Sequence, residues 1–125
     1  MALKLFFDGG ARPNPGRIEI AVVARGVTYL ELDRGQGTNS DAEWLAAIHA
    51  LTIAQRLGER DISLVGDSTL VVTQARGTAR CRTDELRTHL DAFRALAAQF
   101  DRVRIRYISR AQNLAGIALA RRHAR

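Results

Sequence analysis

Three acids punctuate the chain in settings that could hold metal: Asp8 in LFFDGG, Glu43 in SDAEWL and Asp67 in LVGDST. Each has an ordinary local reading. Asp8 precedes Gly9-Gly10, as a turn-forming Asp-Gly pair does. Glu43 follows Ser40 by three residues, the spacing of a capping box. Asp67 precedes Ser68 at the entry to a helix, where an N-cap aspartate is expected. Chemistry enters if the three converge. Crowded carboxylates repel unless cations neutralise them, and oxygen-only ligation suits Mg²⁺ or Mn²⁺ better than zinc. An acidic, metal-demanding notch in a basic protein points to phosphodiester chemistry.

The surrounding pattern supplies elements that could bring these acids together. ALKLFFD reads as a short apolar strand stopped by the turn-rich GGARPNPG, and IEIAVVAR and VTYLELD read as two more strands in a meander. SDAEWLAAIHALTIAQRLG carries Leu45, Ile48, Leu51, Ile53 and Leu57 at helical spacing and stops at Gly58. DISLVGD is a fourth strand, followed by a short helix over Ser68–Gln74 and a basic loop, GTARCRTD. DELRTHLDAFRALAAQF is a helix with Leu86, Leu90, Phe93 and Ala97 on one side. VRIRYIS is a fifth strand, and Asn113–Arg122 a closing helix. The expected fold is α/β: a five-stranded mixed sheet, three antiparallel strands and then parallel additions, flanked by helices. Ligands in such sheets gather at the carboxyl ends of strands. Asp8 and Asp67 are expected at two of those ends, with Glu43 in the first turn of the helix that crosses them.

At 125 residues the chain is expected to be one domain, 1–125. Its net charge is +6, carried almost entirely by arginine, with Lys4 the single lysine. A GC-rich genome would explain the preference for arginine over lysine. The excess of positive charge favours a polyanionic partner. No long apolar run and no basic-then-apolar leader is readable, so no membrane partner is expected. Cys81 is the one cysteine, in keeping with a reducing, cytoplasmic setting and a monomer. His49, His89 and His123 lack metal spacing. Trp44 either packs in the core or touches a groove, and packing is the expectation.

Four segments together resemble the type 1 ribonuclease H family. FFDGGARPNPG resembles its first-strand motif, TNSDAEWLAAIHAL its helix signature, LVGDSTLVVTQ its second aspartate motif and ISRAQNLAGIALARR its closing asparagine helix. The resemblance spans essentially the whole chain in order. It implies hydrolysis of the RNA strand of an RNA–DNA hybrid, with two Mg²⁺ or Mn²⁺ ions about 3.5–4 Å apart when substrate is bound. Asp8 matches the carboxylate bridging both ions. Glu43 and Asp67 match ligands on the leaving-group side, Glu43 also lying near the RNA 2′-hydroxyl. Gly10, Asn14, Asn39, Ser68 and Asn113 match substrate-contacting positions, and Thr38 matches a residue that holds a DNA phosphate.

The chain departs from the family pattern in three places. A long basic insertion is absent, as in the family's compact branch, leaving Arg76, Arg80 and Arg82 as a smaller handle or as a solvated loop. Ser109-Arg110-Ala111 stands where other members carry a histidine. Most notably, an aspartate is expected four residues after Asn113, and Ile117 stands there. No acid occurs between Arg102 and Arg125, so no shift of register supplies one. Two readings follow: a ribonuclease H weakened by a missing ligand, or a hybrid-binding domain with little cleavage. Asn113 one turn earlier could offer a neutral amide oxygen, or simply cap the helix.

Overall fold

The computed structural model describes residues 2–123, so the expected domain limits at Met1 and Arg125 lie outside the described residues. Its strands are β1 (Leu3–Arg12), β2 (Gly16–Ala24), β3 (Val27–Glu31), β4 (Gln36–Gly37), β5 (Asp61–Gly66) and β6 (Arg102–Tyr107). Its helices are α1 (Asn39–Arg56), α2 (Thr69–Ala75), α3 (Asp84–Ala97) and α4 (Leu114–Arg122). The sheet runs β3-β2-β1-β5-β6, with the two-residue β4 pairing β2 off that path. β1, β2 and β3 are antiparallel, while β5 and β6 add in parallel. This is the expected mixed sheet with one small strand more than the sequence suggested.

Period-two patterning sorts the sheet's side chains onto two faces. Leu5 and Phe7 of β1, Ile18, Ile20 and Val22 of β2, and Ile62 and Leu64 of β5 form the main core with α1 and α3. Phe6, Ala21 and Val23 point the other way and pack against Ala115 and Leu119 of α4. The β2–β3 hairpin turns at Arg25-Gly26, whose φ values of 53° and 75° suit a tight two-residue hairpin.

α1 is the central pillar. Alanines 42, 46, 47, 50 and 54 bury fully and let it lie close to the sheet. Trp44 is also fully buried, edge-on to Phe93 at 5.7 Å, with Nε1 donating to Gln74 Oε1 at 3.0 Å. It packs in the core, as expected. Among the described residues, no helix is long and apolar enough to cross a membrane.

Three local expectations are corrected. β1 does not stop at Asp8 but continues through Gly9-Gly10 to Arg12, so Asp8 lies within a strand and not in a turn. Antiparallel pairing with β2, from Leu5↔Ala24 to Arg12↔Arg17, stabilises that extension. α1 is capped by Thr38, not Ser40, with Asp41 completing the capping box, because Thr38 Oγ1 reaches the Asp41 N–H. α2 is capped by Ser68 and not Asp67, the Ser68 side chain accepting from Val71 N. All three corrections release an acid from a structural task.

Candidate active site

Asp8, Glu43 and Asp67 each place a carboxylate oxygen within 4.8 Å of the others. Their meeting follows from where one ladder ends. Parallel pairing of β1 with β5 runs from Leu3↔Ile62 to Phe6↔Val65 and goes no further. Two residues beyond, Asp8 stands on a strand that has β2 on one side only. Asp67 follows the last residue of β5, so the acids meet at the edge where the two strands part. α1 delivers the third. It crosses Gly9 so closely that a Cβ there would lie 2.2 Å from the Ala42 carbonyl oxygen. Only glycine permits that approach, which sets Glu43 beside Asp8.

The three acids line a cleft of about 290 Å³ with Gly10, Asn39, Arg110 and a stripe of α4. Burial, followed by the charges of Asp67 and then Glu43, pushes the Asp8 carboxyl up to about 7. Burial also raises Glu43, against an opposing pull from the Ser68 hydroxyl. A carboxyl group whose proton is held towards neutrality by burial and two acidic neighbours is a group short of positive charge. The nearest cation to Asp67 is Arg110, whose Nε lies 3.5 Å from Asp67 Oδ2 on a side chain otherwise exposed to solvent. Oxygen donors, crowding and raised protonation together fit hard divalent cations such as Mg²⁺ or Mn²⁺.

The polar residues singled out in the sequence fall into three groups. Gly10 and Asn39 line the cleft. Asn39 Oδ1 accepts from Ala11 N at 2.8 Å, and Asn39 N donates to Asn14 Oδ1 at 3.1 Å. Asn14 and Asn39 are thereby joined, and with neighbouring Thr38 they form an exposed polar shelf along the β1–β2 turn and the start of α1. Ser68 is buried as the α2 cap beside Glu43. Asn113 is fully buried and its amide is committed at both ends: Nδ2 donates to the Phe7 carbonyl at 3.0 Å, and Oδ1 accepts from Ala115 N at 3.1 Å. It ties α4 to β1 one residue before Asp8.

α4 carries no acid, but the residue it sets against Asp8 is Gly116. A Cβ at that glycine would lie 3.4 Å from Asp8 Oδ2. Gly116, Leu119, Ala120 and His123 line the cleft, whereas half-buried Ile117 is outside the lining set. Sequence reasoning missed Glu19, Arg12 and His123, which also line the cleft. The available signal was Glu19 itself, a lone acid in the otherwise apolar IEIAVV strand. Arg76, Arg80 and Arg82 are exposed, on a loop anchored by buried Cys81 and by Gln74 Nε2 donating to the Arg80 carbonyl.

Comparison with known proteins agrees with this fold. A family profile described as "Reverse transcriptase-like" matches residues 7–123. Ribonuclease HI of Halobacterium salinarum is 36% identical over an alignment 124 positions long that covers 92% of this chain and 60% of that protein. The bifunctional protein Rv2228c of Mycobacterium tuberculosis is 35% identical over 85% of this chain, but the match covers 31% of its length. The chain thus spans less than two thirds of these curated relatives. Among solved structures, RNase H1 of H. salinarum superposes with a TM-score of 0.90 at 32% identity, covering 99% of this chain and 100% of that one. The N-terminal RNase H domain of Rv2228c gives 0.85 at 29% identity, covering 95% of each chain. LC11-RNase H1 in complex with an RNA/DNA hybrid gives 0.81 at 26% identity, covering 98% of this chain and 99% of that one.

Proposed function

The chain belongs to the ribonuclease H family, and from that premise we propose that it hydrolyses the RNA strand of RNA–DNA hybrids using two divalent ions. The observation that carries the reading is the convergence of Asp8, Glu43 and Asp67 within 4.8 Å on one open rim. Hybrid binding alone needs no such crowding, which costs Asp8 its ordinary acidity. Asp8, whose carboxyl feels both other acids, would hold both ions, and Glu43 and Asp67 would serve the leaving-group side. The ions, when bound, polarise the scissile phosphate and stabilise charge on the attacking and leaving oxygens.

The chain's own groups do the rest. Asn14, Thr38 and Asn39 lie along one exposed shelf and take the sugar–phosphate backbones beside the cleft. Glu43, at the inner edge, is positioned to read a ribose 2′-hydroxyl, the group that separates RNA from DNA. Arg110 neutralises Asp67 in the free protein and is free to swing to phosphate. Asn113 acts as a positioning residue, since both ends of its amide are already engaged. Arg76, Arg80 and Arg82 extend the basic surface as a short handle. The lack of any acid on α4 supports a slower or more metal-demanding enzyme than four-carboxylate relatives. Buried, unpaired Cys81 is in keeping with a reducing cytoplasm, and we take the working unit to be a monomer.

Cleavage of an end-labelled RNA–DNA hybrid in Mg²⁺ and then Mn²⁺ tests the proposal, with Asp8→Asn alongside. RNA-strand products from the unmodified chain and none from Asp8→Asn are expected. Hybrid bound but uncut in both metals would leave a binding domain instead.

A further inference from the structure

We propose that Glu19 supplies, from β2, the negative charge that α4 fails to supply to the divalent-ion site. The inference rests on the reading of Asp8, Glu43 and Asp67 as that site.

Register makes the case first. Asp8 pairs with Ala21 and Gly10 with Glu19, and directly opposite residues of an antiparallel pair share a face. Asp8 and Gly10 are two apart and share it too. Glu19 is therefore the diagonal neighbour of Asp8, with Cα atoms about 7–8 Å apart across the strand pair, on the face that α4 covers. The position between them on β1 is Gly10, whose Cβ would meet only Asn39 Oδ1, at 4.0 Å. No β1 side chain stands between the two carboxylates.

Burial and partners make the second part. The Glu19 side chain is only 14% exposed, unusual for an acid on a strand face turned from the main core. It lines the same cleft as Asp8, Glu43 and Asp67, from the side opposite Asp67. Glu19 Oε1 lies 2.7 Å from His123 Nε2, and Arg12 Nε stands 3.8 Å away. His123, the residue that caps the C-terminal end of α4, falls seven residues after Gly116 and lines the cleft with it. These contacts keep a carboxylate at the α4 side of the cluster and hold its direction.

A charge beside an ion site acts on affinity even when other groups make the closest contacts, because Coulomb attraction for a divalent ion reaches across several ångströms of protein. The bland alternative is that Glu19 and His123 merely pin α4 to β2. The two differ in a measurable way. Calorimetric titration of Mn²⁺ into the protein without nucleic acid should show Glu19→Gln binding on the order of 10-fold more weakly than the unmodified chain. Glu19→Asp, which keeps the charge, should recover most of that loss. In the unmodified chain, the ¹³C carboxylate signal of Glu19 should shift on Mg²⁺ addition together with that of Glu43.

Wild-type affinity in Glu19→Gln overturns the proposal, as does an equal loss in both variants or a Glu19 signal that stays still while Glu43 titrates. If the Glu19→Gln chain does not fold, the carboxylate signal in the unmodified protein decides alone. Failure of the underlying reading looks different: there the unmodified chain itself takes up no Mn²⁺, or Asp8→Asn binds it unimpaired.

Discussion

The cleft has two flanks that hold their residues by different means. On the β5–α1 flank, Glu43 and Asp67 stand at or just beyond main-chain features: a strand end, a Thr38-capped helix, a Ser68-capped helix and the contact of α1 on Gly9. On the α4 flank, one buried amide, Asn113, makes the link to β1, and the helix presents glycine, leucine and alanine to the acids. One flank has charge on a rigid frame. The other has a frame and gets its charge, through Glu19, from a neighbouring strand. Losing an acid from a helix therefore need not unmake a site whose remaining ligands are fixed by backbone.

The largest effect should come from the charged flank. Glu43→Gln removes a carboxylate but keeps the shape of α1, and should slow hybrid cleavage on the order of 10³-fold, about 4 kcal/mol at the transition state. Ile117→Ala on the opposite flank should cause no comparable loss. Single-turnover rates on one labelled hybrid compare them, and equal losses would mean the flanks are equivalent.

Next is the frame. Gly9→Ala forces a methyl group to within 2.2 Å of the Ala42 carbonyl oxygen unless α1 moves. About 3 kcal/mol of stability should be lost, read as a lower urea midpoint. The corresponding break on the α4 flank is Asn113→Ala, which strands the Phe7 carbonyl and the Ala115 N–H in a buried setting. Its expected cost is smaller, roughly 2 kcal/mol. Asn113→Asp sharpens this, since a carboxylate can still cap Ala115 but cannot donate to Phe7. If it matches wild type in stability, the tether to β1 is unimportant.

Much of this was legible in the chain. The order of strands and helices, the mixed sheet and the burial of Trp44 follow from periodicity and turn residues, because those patterns are local. The errors were local too, and came from reading each acid beside its nearest neighbour. SDAE looks like a capping box only until Thr38 is seen to start the helix two residues earlier, where Asp41 can answer it. Asp-Gly looks like a turn until β2 is known to pair through Gly9 and Gly10. Glu19 was passed over for a different reason, although it is the one acid in IEIAVV. On a two-sided strand an outward acid normally meets water, and only the docking of α4 over that face makes it part of the cleft.

The smallest predicted effect lies in how the charged flank tolerates its own crowding without metal. The Asp8 carboxyl sits at about 7 in the fold, against 3.8 ordinarily. The folded chain thus binds this proton more tightly than the unfolded chain. Its contribution to stability is complete below about pH 4, is lost as the pH rises towards 7, and stays lost above. His49 acts the opposite way in part of that range, because burial lowers its pKa and folding there excludes a proton. Glu43, also raised by burial, acts in the same sense as Asp8, and wild-type melting alone would blend all three, so the difference between wild type and Asp8→Asn is the more direct quantity. Asp8→Asn removes the carboxyl but leaves His49 untouched. In EDTA its advantage over wild type should therefore grow from pH 5 to pH 8, to on the order of 1 kcal/mol, or a few degrees in Tm. Saturating Mn²⁺ should reverse the ranking at pH 8, since the ions stabilise only the chain that binds them. A constant difference across that pH range would mean that Asp8 titrates in the fold as it does unfolded, and that the acids of the rigid flank are not crowded.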